Sequence, residues 1–198
     1  MKPILSQRFV LLLCVFALQI GASAQPTATS SPTWQVYFSP GGETTFAIQQ
    51  ALNNAKSTVL VQAYSFTSAP IAEALVKANK RGVKVQVILD RSQKTYKYSS
   101  ADFLVNSGIP TRIDAAHAIA HNKVMIIDGT NVITGSFNFT MAAEERNAEN
   151  LLVIHSRGLA AQYTENWQLH ERHSEPYRRK TSSHQRSRSH ADTSLPTD

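Results

Sequence analysis

A histidine, a lysine and an aspartate stand at positions 121, 123 and 128, and a Gly-Ser-x-Asn run follows at Gly135, Ser136 and Asn138. An imidazole is a nucleophile at neutral pH. An ammonium, a hydroxyl and a carboxamide are donors that can hold the non-bridging oxygens of a phosphate. Gathered within eighteen residues, these groups point to attack on a phosphodiester. The set occurs once. Cleaving a diester through a covalent intermediate takes two proton-handling groups, one to attack and one to protonate the leaving oxygen.

The spacing says how these groups would be mounted. Residues 121–127 read as a strand, which puts His121 and Lys123 on one face with Cα atoms about 6.6 Å apart. Met125 and Ile127 continue that face while Val124 and Ile126 fill the other, the pattern of a central strand buried on both sides. By the same parity Asp128 falls opposite His121 and suits a structural acceptor at the Asp128-Gly129 turn. Residues 131–135 return as a second strand. Ser136 and Asn138 then share parity, and Phe137 points into the core. Gly135 is expected to let the backbone approach a bound oxyanion. Lys123, Ser136 and Asn138 would stabilise the charge that develops on five-coordinate phosphorus.

Further elements frame this pair. Residues 35–38 read as a short strand, 39–42 as a turn, and 43–56 as a helix with Phe46, Ile48, Ala51 and Leu52 inward. Residues 58–66 are β-rich, 70–80 have helical spacing, and Gly82 stops that helix. A strand at 83–89, a helix at 98–106, strands at 109–113 and 151–155, and a closing helix at 159–170 follow. The alternation predicts an α/β fold, a mixed β-sheet flanked by helices on both faces. Tyr64 and Phe66, at a strand end, either line a groove that stacks bases or pack in the core. Arg91 and Lys94 are candidate contacts to a nucleic-acid backbone, with a solvated loop as the plain alternative. His117 and His121 stand four apart and could hold a metal on a helix. Lys123 is an unwelcome neighbour for a cation, so no metal and no cofactor is expected.

The 198 residues, 42% hydrophobic and 17% charged, suit one globular domain with a real core. Residues 1–24 have the form of a secretory leader: Lys2 and Arg8, an apolar stretch over 9–20, and Ala22-Ser23-Ala24 before a cut at Gln25. Twelve apolar residues are short for a membrane anchor, which wants about 20. Cys14 is the only cysteine, and Leu13 before it disfavours a lipid anchor. A mature chain would have no cysteine, which excludes disulfides, thiolate catalysis and cysteine metal sites. Residues 25–33 have linker composition, 34–170 form the domain, and 171–198 are expected to be a basic disordered tail. The net charge of +6 falls to +4 without Lys2 and Arg8. Much of it lies in the tail (Arg172, Arg178, Arg179, Lys180), so charge alone argues only weakly for a polyanionic partner.

The arrangement HxKxxxxD followed by GSxN resembles the phospholipase D superfamily, with His121, Lys123, Asp128, Gly135, Ser136 and Asn138 all at the family's spacing. The likeness runs from about Trp34 to Trp167, and the short single-motif form is similar to the secreted bacterial endonucleases of that superfamily. The resemblance implies His121 as nucleophile. It implies Glu149, in Asn147-Ala148-Glu149-Asn150, as the carboxylate that orients His121. It also implies a homodimer in which one His121 attacks phosphorus and the other protonates the leaving oxygen. Together these predict a metal-independent endonuclease, periplasmic or secreted and without stable membrane association, acting on DNA with RNA kept open. The alternatives are a phospholipase D acting on phospholipid headgroups and a catalytically silent nucleic-acid-binding module.

Overall fold

The structure is a computed structural model and describes residues 31–178. The expected leader, most of the linker and most of the basic tail lie outside the described residues. The elements run β1 (Thr33–Ser39), α1 (Thr44–Asn54), β2 (Thr58–Ala63), α2 (Ala69–Lys80), β3 (Lys84–Asp90), a 3-10 turn (Arg91–Lys94) and α3 (Ala101–Asn106). Then come β4 (Thr111–Asp114), β5 (Lys123–Ile127), β6 (Asn131–Gly135), α4 (Met141–Glu145), β7 (Glu149–His155), α5 (Arg157–His173) and β8 (Glu175–Pro176).

The eight strands form one mixed sheet in the order β1-β7-β6-β5-β2-β3-β4-β8. β2, β3 and β4 are parallel to one another; every other pairing is antiparallel. This is the α/β fold with a mixed sheet that the alternation predicted. β5 lies near the middle with all five residues buried. Its two faces feed different cores: Met125 and Ile127 meet the helices α1, α2 and α3, while Val124 and Ile126 meet α5 through Ala160 and Trp167. The Trp167 indole N–H donates to the Val61 carbonyl at 2.9 Å, fixing α5 to the central strand β2.

Local chemistry sets the boundaries. Gly82 takes φ +92 after α2, a conformation that costs glycine nothing and stops the helix where expected. Arg81 donates to the Leu52 carbonyl at the end of α1 (2.8 Å), joining the C-termini of the two helices. Ser156 caps α5 by accepting from the Leu159 N–H, and Thr140 caps α4 by accepting from the Ala143 N–H.

Four expectations change. Phe46 is 54% exposed, because α1 turns Thr44, Ala47, Ile48 and Leu52 inward and leaves position 46 off that stripe. Residues 171–178 are ordered rather than disordered: α5 continues to His173, and β8 adds to the sheet edge at Arg112 and Ile113. The helix expected at 98–106 is only Ala101–Asn106. The strand expected at 121–127 starts at Lys123, so His121 sits in the loop before it.

α5 packs over β6, β5, β2 and β4, and leaves the β1–β7 end of its face bare. There Trp34, Val36 and Phe38 of β1 are 67%, 49% and 63% exposed, paired with Ile154, Leu152 and Asn150 of β7. No helix among the described residues is long and apolar enough to cross a membrane.

Candidate active site

Strand register gathers the motif at one end of the sheet. Lys123 of β5 pairs with Ala63, the last residue of β2, so Tyr64 lies just beyond that end. Val124 pairs with Thr134, so Gly135 and Ser136 of the antiparallel strand β6 reach the same rim. Gly135 pairs with Leu151, which brings the start of β7, Glu149 and Asn150, alongside. The rim is at the carboxyl ends of the parallel strands, where open α/β sheets bind ligands. Beyond it the chain is tied across: Phe66 and Phe139 form a parallel bridge, and the Thr67 and Ser68 N–H groups both donate to the Phe139 carbonyl at 2.9 Å. Asn138 is therefore on a braced segment.

His121 is exposed and Lys123 is buried. The Tyr64 N–H donates to the Asn122 carbonyl at 2.8 Å, which holds the His121 loop to the end of β2. The Tyr64 ring packs on the imidazole with centroids 4.6 Å apart, and the Lys123 ammonium lies 5.2 Å from the centre of the same ring. Tyr64 is thus not a core residue; half-buried at the rim, it is the platform on which the His121 imidazole and the Lys123 ammonium sit. Phe66 is wholly buried in the core.

The Lys123 ammonium donates to the His121 carbonyl at 2.8 Å, leaving two of its three N–H donors for an incoming oxyanion. Burial lowers the Lys123 pKa, and the negative charge of Glu149 works in the opposite direction, favouring the ammonium. Glu149 itself accepts from the Asn147 amide at 3.1 Å. Its expected hydrogen bond to the His121 imidazole is not formed; in this conformation the carboxylate serves the lysine.

Ser136 is held by Asn150, whose backbone N–H (3.0 Å) and side-chain amide (3.3 Å) both donate to the hydroxyl oxygen. The hydroxyl proton is thereby left for a ligand. The Asn138 Oδ1 is buried with no hydrogen-bond partner, a costly arrangement that marks a group awaiting one. Gly135 has φ +154, and a Cβ there would collide with the Asn150 carbonyl. That carbonyl accepts from both Ser136 and Phe137 N–H groups. Glycine is required at 135 by the close passage of β7.

Asp128 lies at the opposite end of β5, about 17 Å along the strand from Lys123. Its carboxylate accepts from the N–H groups of Lys56, Ser57 and Thr58 and from the Ser57 hydroxyl, at 2.7 to 3.0 Å. It anchors the start of β2 and touches nothing at the rim. Arg91 is exposed in the 3-10 turn after β3, on the rim side. His117 does not pair with His121; it joins Asp114, His170 and His173 elsewhere. Sequence reasoning missed Asn150, Asn147 and Asp90. Asp90 accepts from Ala120 at 2.8 Å and so fixes the loop just before His121. The short string of amides around Glu149 was the available signal for the first two.

The family described as "Cardiolipin synthase, PLD-like domain" matches residues 48–170. The chain belongs to this phospholipase D-like family. A phospholipase D of Rickettsia typhi is 48% identical over 128 residues, covering 65% of this chain and 62% of that one. The chain therefore spans about three fifths of that relative. A mitochondrial cardiolipin hydrolase of Xenopus tropicalis is 31% identical over 105 residues, covering 53% of this chain and 50% of the other. Among solved structures, the phospholipase D family member Nuc from Salmonella typhimurium superposes with a TM-score of 0.72. It is 41% identical and covers 75% of this chain and 100% of its own. The phospholipase D-like sheet in this chain thus carries its HxK and GSxN segments on one rim and the motif aspartate at the other end.

Proposed function

We propose that the chain is a phosphodiesterase, an endonuclease hydrolysing DNA, and RNA as well, through a phosphohistidine at a site shared by two copies. The observation that carries this is the grouping, at one sheet rim, of an exposed imidazole, a buried ammonium with two uncommitted N–H donors and a Ser136 hydroxyl whose proton is left for a ligand. The likeness to the short single-motif endonucleases supports nucleic acid as substrate. In the first step His121 nitrogen bonds to phosphorus as the P–O bond to the leaving group breaks, and the leaving oxygen takes a proton from His121 of the partner subunit. Water then attacks phosphorus, giving its proton back to that second imidazole as the P–N bond breaks. Lys123, Ser136 and Asn138 hold the non-bridging oxygens throughout.

A second copy also suits the bare apolar stripe Trp34, Val36 and Phe38, whose β7 partner Asn150 is the residue that holds Ser136. An exported, periplasmic or secreted location is part of the same proposal and rests on residues 1–24.

The second reading, hydrolysis of phospholipid headgroups, draws on the relatives that carry the names phospholipase D and cardiolipin hydrolase. One assay separates the two: plasmid DNA, RNA and vesicles of phosphatidylcholine with cardiolipin, each incubated with the chain and with His121→Ala. Nucleic-acid cleavage that is lost in His121→Ala supports the nuclease. Headgroup release without nicking favours the lipase, and activity surviving in His121→Ala refutes the shared mechanism.

A further inference from the structure

Three strands away from Lys123, at the carboxyl end of β4, three imidazoles converge on one carboxylate. Asp114 is fully buried; its Oδ2 lies 2.7 Å from His170 Nδ1, 3.2 Å from His173 Nε2 and 3.3 Å from His117 Nδ1. One nitrogen from each ring and one carboxylate oxygen all fall within 4.8 Å of one another. The rings are themselves close, with centroids 4.9 to 5.2 Å apart.

The nitrogen–oxygen distances are close to those of a metal's donor set. A tetrahedral ion with bonds of about 2.0–2.1 Å has donors about 3.3 Å apart along each edge. Two of the three nitrogen–oxygen separations already have that value, and the third needs to open by about half an ångström. The donors come in two short pairs, Asp114 with His117 and His170 with His173, each three residues apart. The second pair lies in the last turn of α5, where the helix dipole favours a cation.

The scaffold is fixed independently of any ion. The Ser174 hydroxyl donates to the His170 carbonyl at 2.6 Å, the Ala116 N–H donates to Asp114 Oδ1 at 3.0 Å, and Arg112 donates to the Ser174 carbonyl. Imidazole with carboxylate is the donor set of borderline divalent ions, Zn2+ above all, and not of Mg2+ or Ca2+.

We propose that Asp114, His117, His170 and His173 bind one Zn2+ ion in a structural site. Four protein donors close the coordination shell, so the ion activates no water and takes no part in the chemistry at His121. Its effect is mechanical. It joins the end of α5 to β4 and pins the start of the loop 115–122, whose other end carries His121 and is held at Ala120 by Asp90.

The test uses the full, untagged chain, freed of metal with a chelator and titrated with Zn2+ by calorimetry, with thermal unfolding followed in parallel. One Zn2+ per chain and a raised Tm are expected, with no such response to Mg2+. Substituting Co2+ should give the intense visible absorption of a tetrahedral site. His173→Gln and His117→Gln, whose side chains are 36% and 48% exposed and so tolerate replacement, should each bind Zn2+ more than about 100-fold more weakly. Replacing His184 and His190 by Gln should change nothing. Unaltered binding in both His117→Gln and His173→Gln, loss of binding in the His184/His190 variant, or no Zn2+ uptake by the parent chain would overturn the proposal. None of these readouts depends on what the rim at His121 hydrolyses.

Discussion

The Lys123 ammonium is bonded to the backbone carbonyl of His121, 2.8 Å away, so the proposed phosphate-binding cation and the proposed nucleophile are held as one unit. The bond spans two residues at the point where the chain enters β5. It uses a single donor and keeps the charge beside the imidazole. Lys123→Met should therefore remove both an oxyanion donor and the tether, lowering kcat by about 10²- to 10³-fold, the usual effect of losing such a donor. Circular dichroism should show the fold retained. Activity within about threefold of the parent would show that the ammonium does not meet the transition state.

Tyr64 supplies the surface on which both groups rest. Its ring faces, not its hydroxyl, make those contacts. Tyr64→Phe should keep most of the activity, whereas Tyr64→Ala should lose roughly tenfold or more, consistent with about 1–2 kcal/mol for the ring contacts. Single-turnover cleavage rates of the two variants check this. Equal losses in both would move the role to the hydroxyl.

Asp128 should matter for stability rather than turnover. Burial raises its pKa, but hydrogen bonds from Thr58, Ser57 and Lys56 outweigh that and hold it below the ordinary carboxylate value. A depressed folded-state pKa adds stability that is present above the unfolded pKa of about 3.9 and is lost as pH falls through the folded value. Asp128→Asn should cost about 1–2 kcal/mol at pH 7, a Tm drop of roughly 3–6 °C, with the difference closing below about pH 4. Thermal scans at pH 7 and pH 3.5 measure it. A large fall in kcat at unchanged Tm would instead place Asp128 at the site.

Charge on the bare β1 stripe should split the proposed dimer. Trp34→Asp with Phe38→Asp puts two carboxylates on residues that are already exposed in the single chain, so each subunit should still fold. Sedimentation should show a monomer, and the activity of that monomer should be at least about 100-fold lower for want of the second imidazole. A fully active monomer would mean that the proton donor comes from within one chain.

Much of this could be read from residue order. Period-two alternation over residues 121–127 located the central strand, though it begins only at Lys123, and the same parity separated Lys123 from Val124 before any contact was known. Parity also set Asp128 apart, on the opposite face from His121, and the structure adds that it lies at the far end of the strand, bonded to Lys56, Ser57 and Thr58. Phe46 went wrong because residue type alone counted it inward, whereas at 100° per residue it stands off the stripe that Thr44, Ala47, Ile48 and Leu52 bury. β8 carries no strand pattern at all; two residues join the sheet only because Arg112 and Ile113 offer an open edge.

The sequence by itself determined the α/β architecture, the residues of the HxKxxxxD and GSxN motif and the fact that the chain holds one such set. Those follow from residue type and short-range spacing. Only the tertiary structure decided that Asn150 holds Ser136, that Tyr64 carries His121, that Glu149 acts on Lys123, and that Asp114 collects three histidines. Apart from His117, three residues from Asp114, these join segments 14 to 59 residues apart, and strand order and register, which bring them together, are set by how whole faces of the sheet are buried.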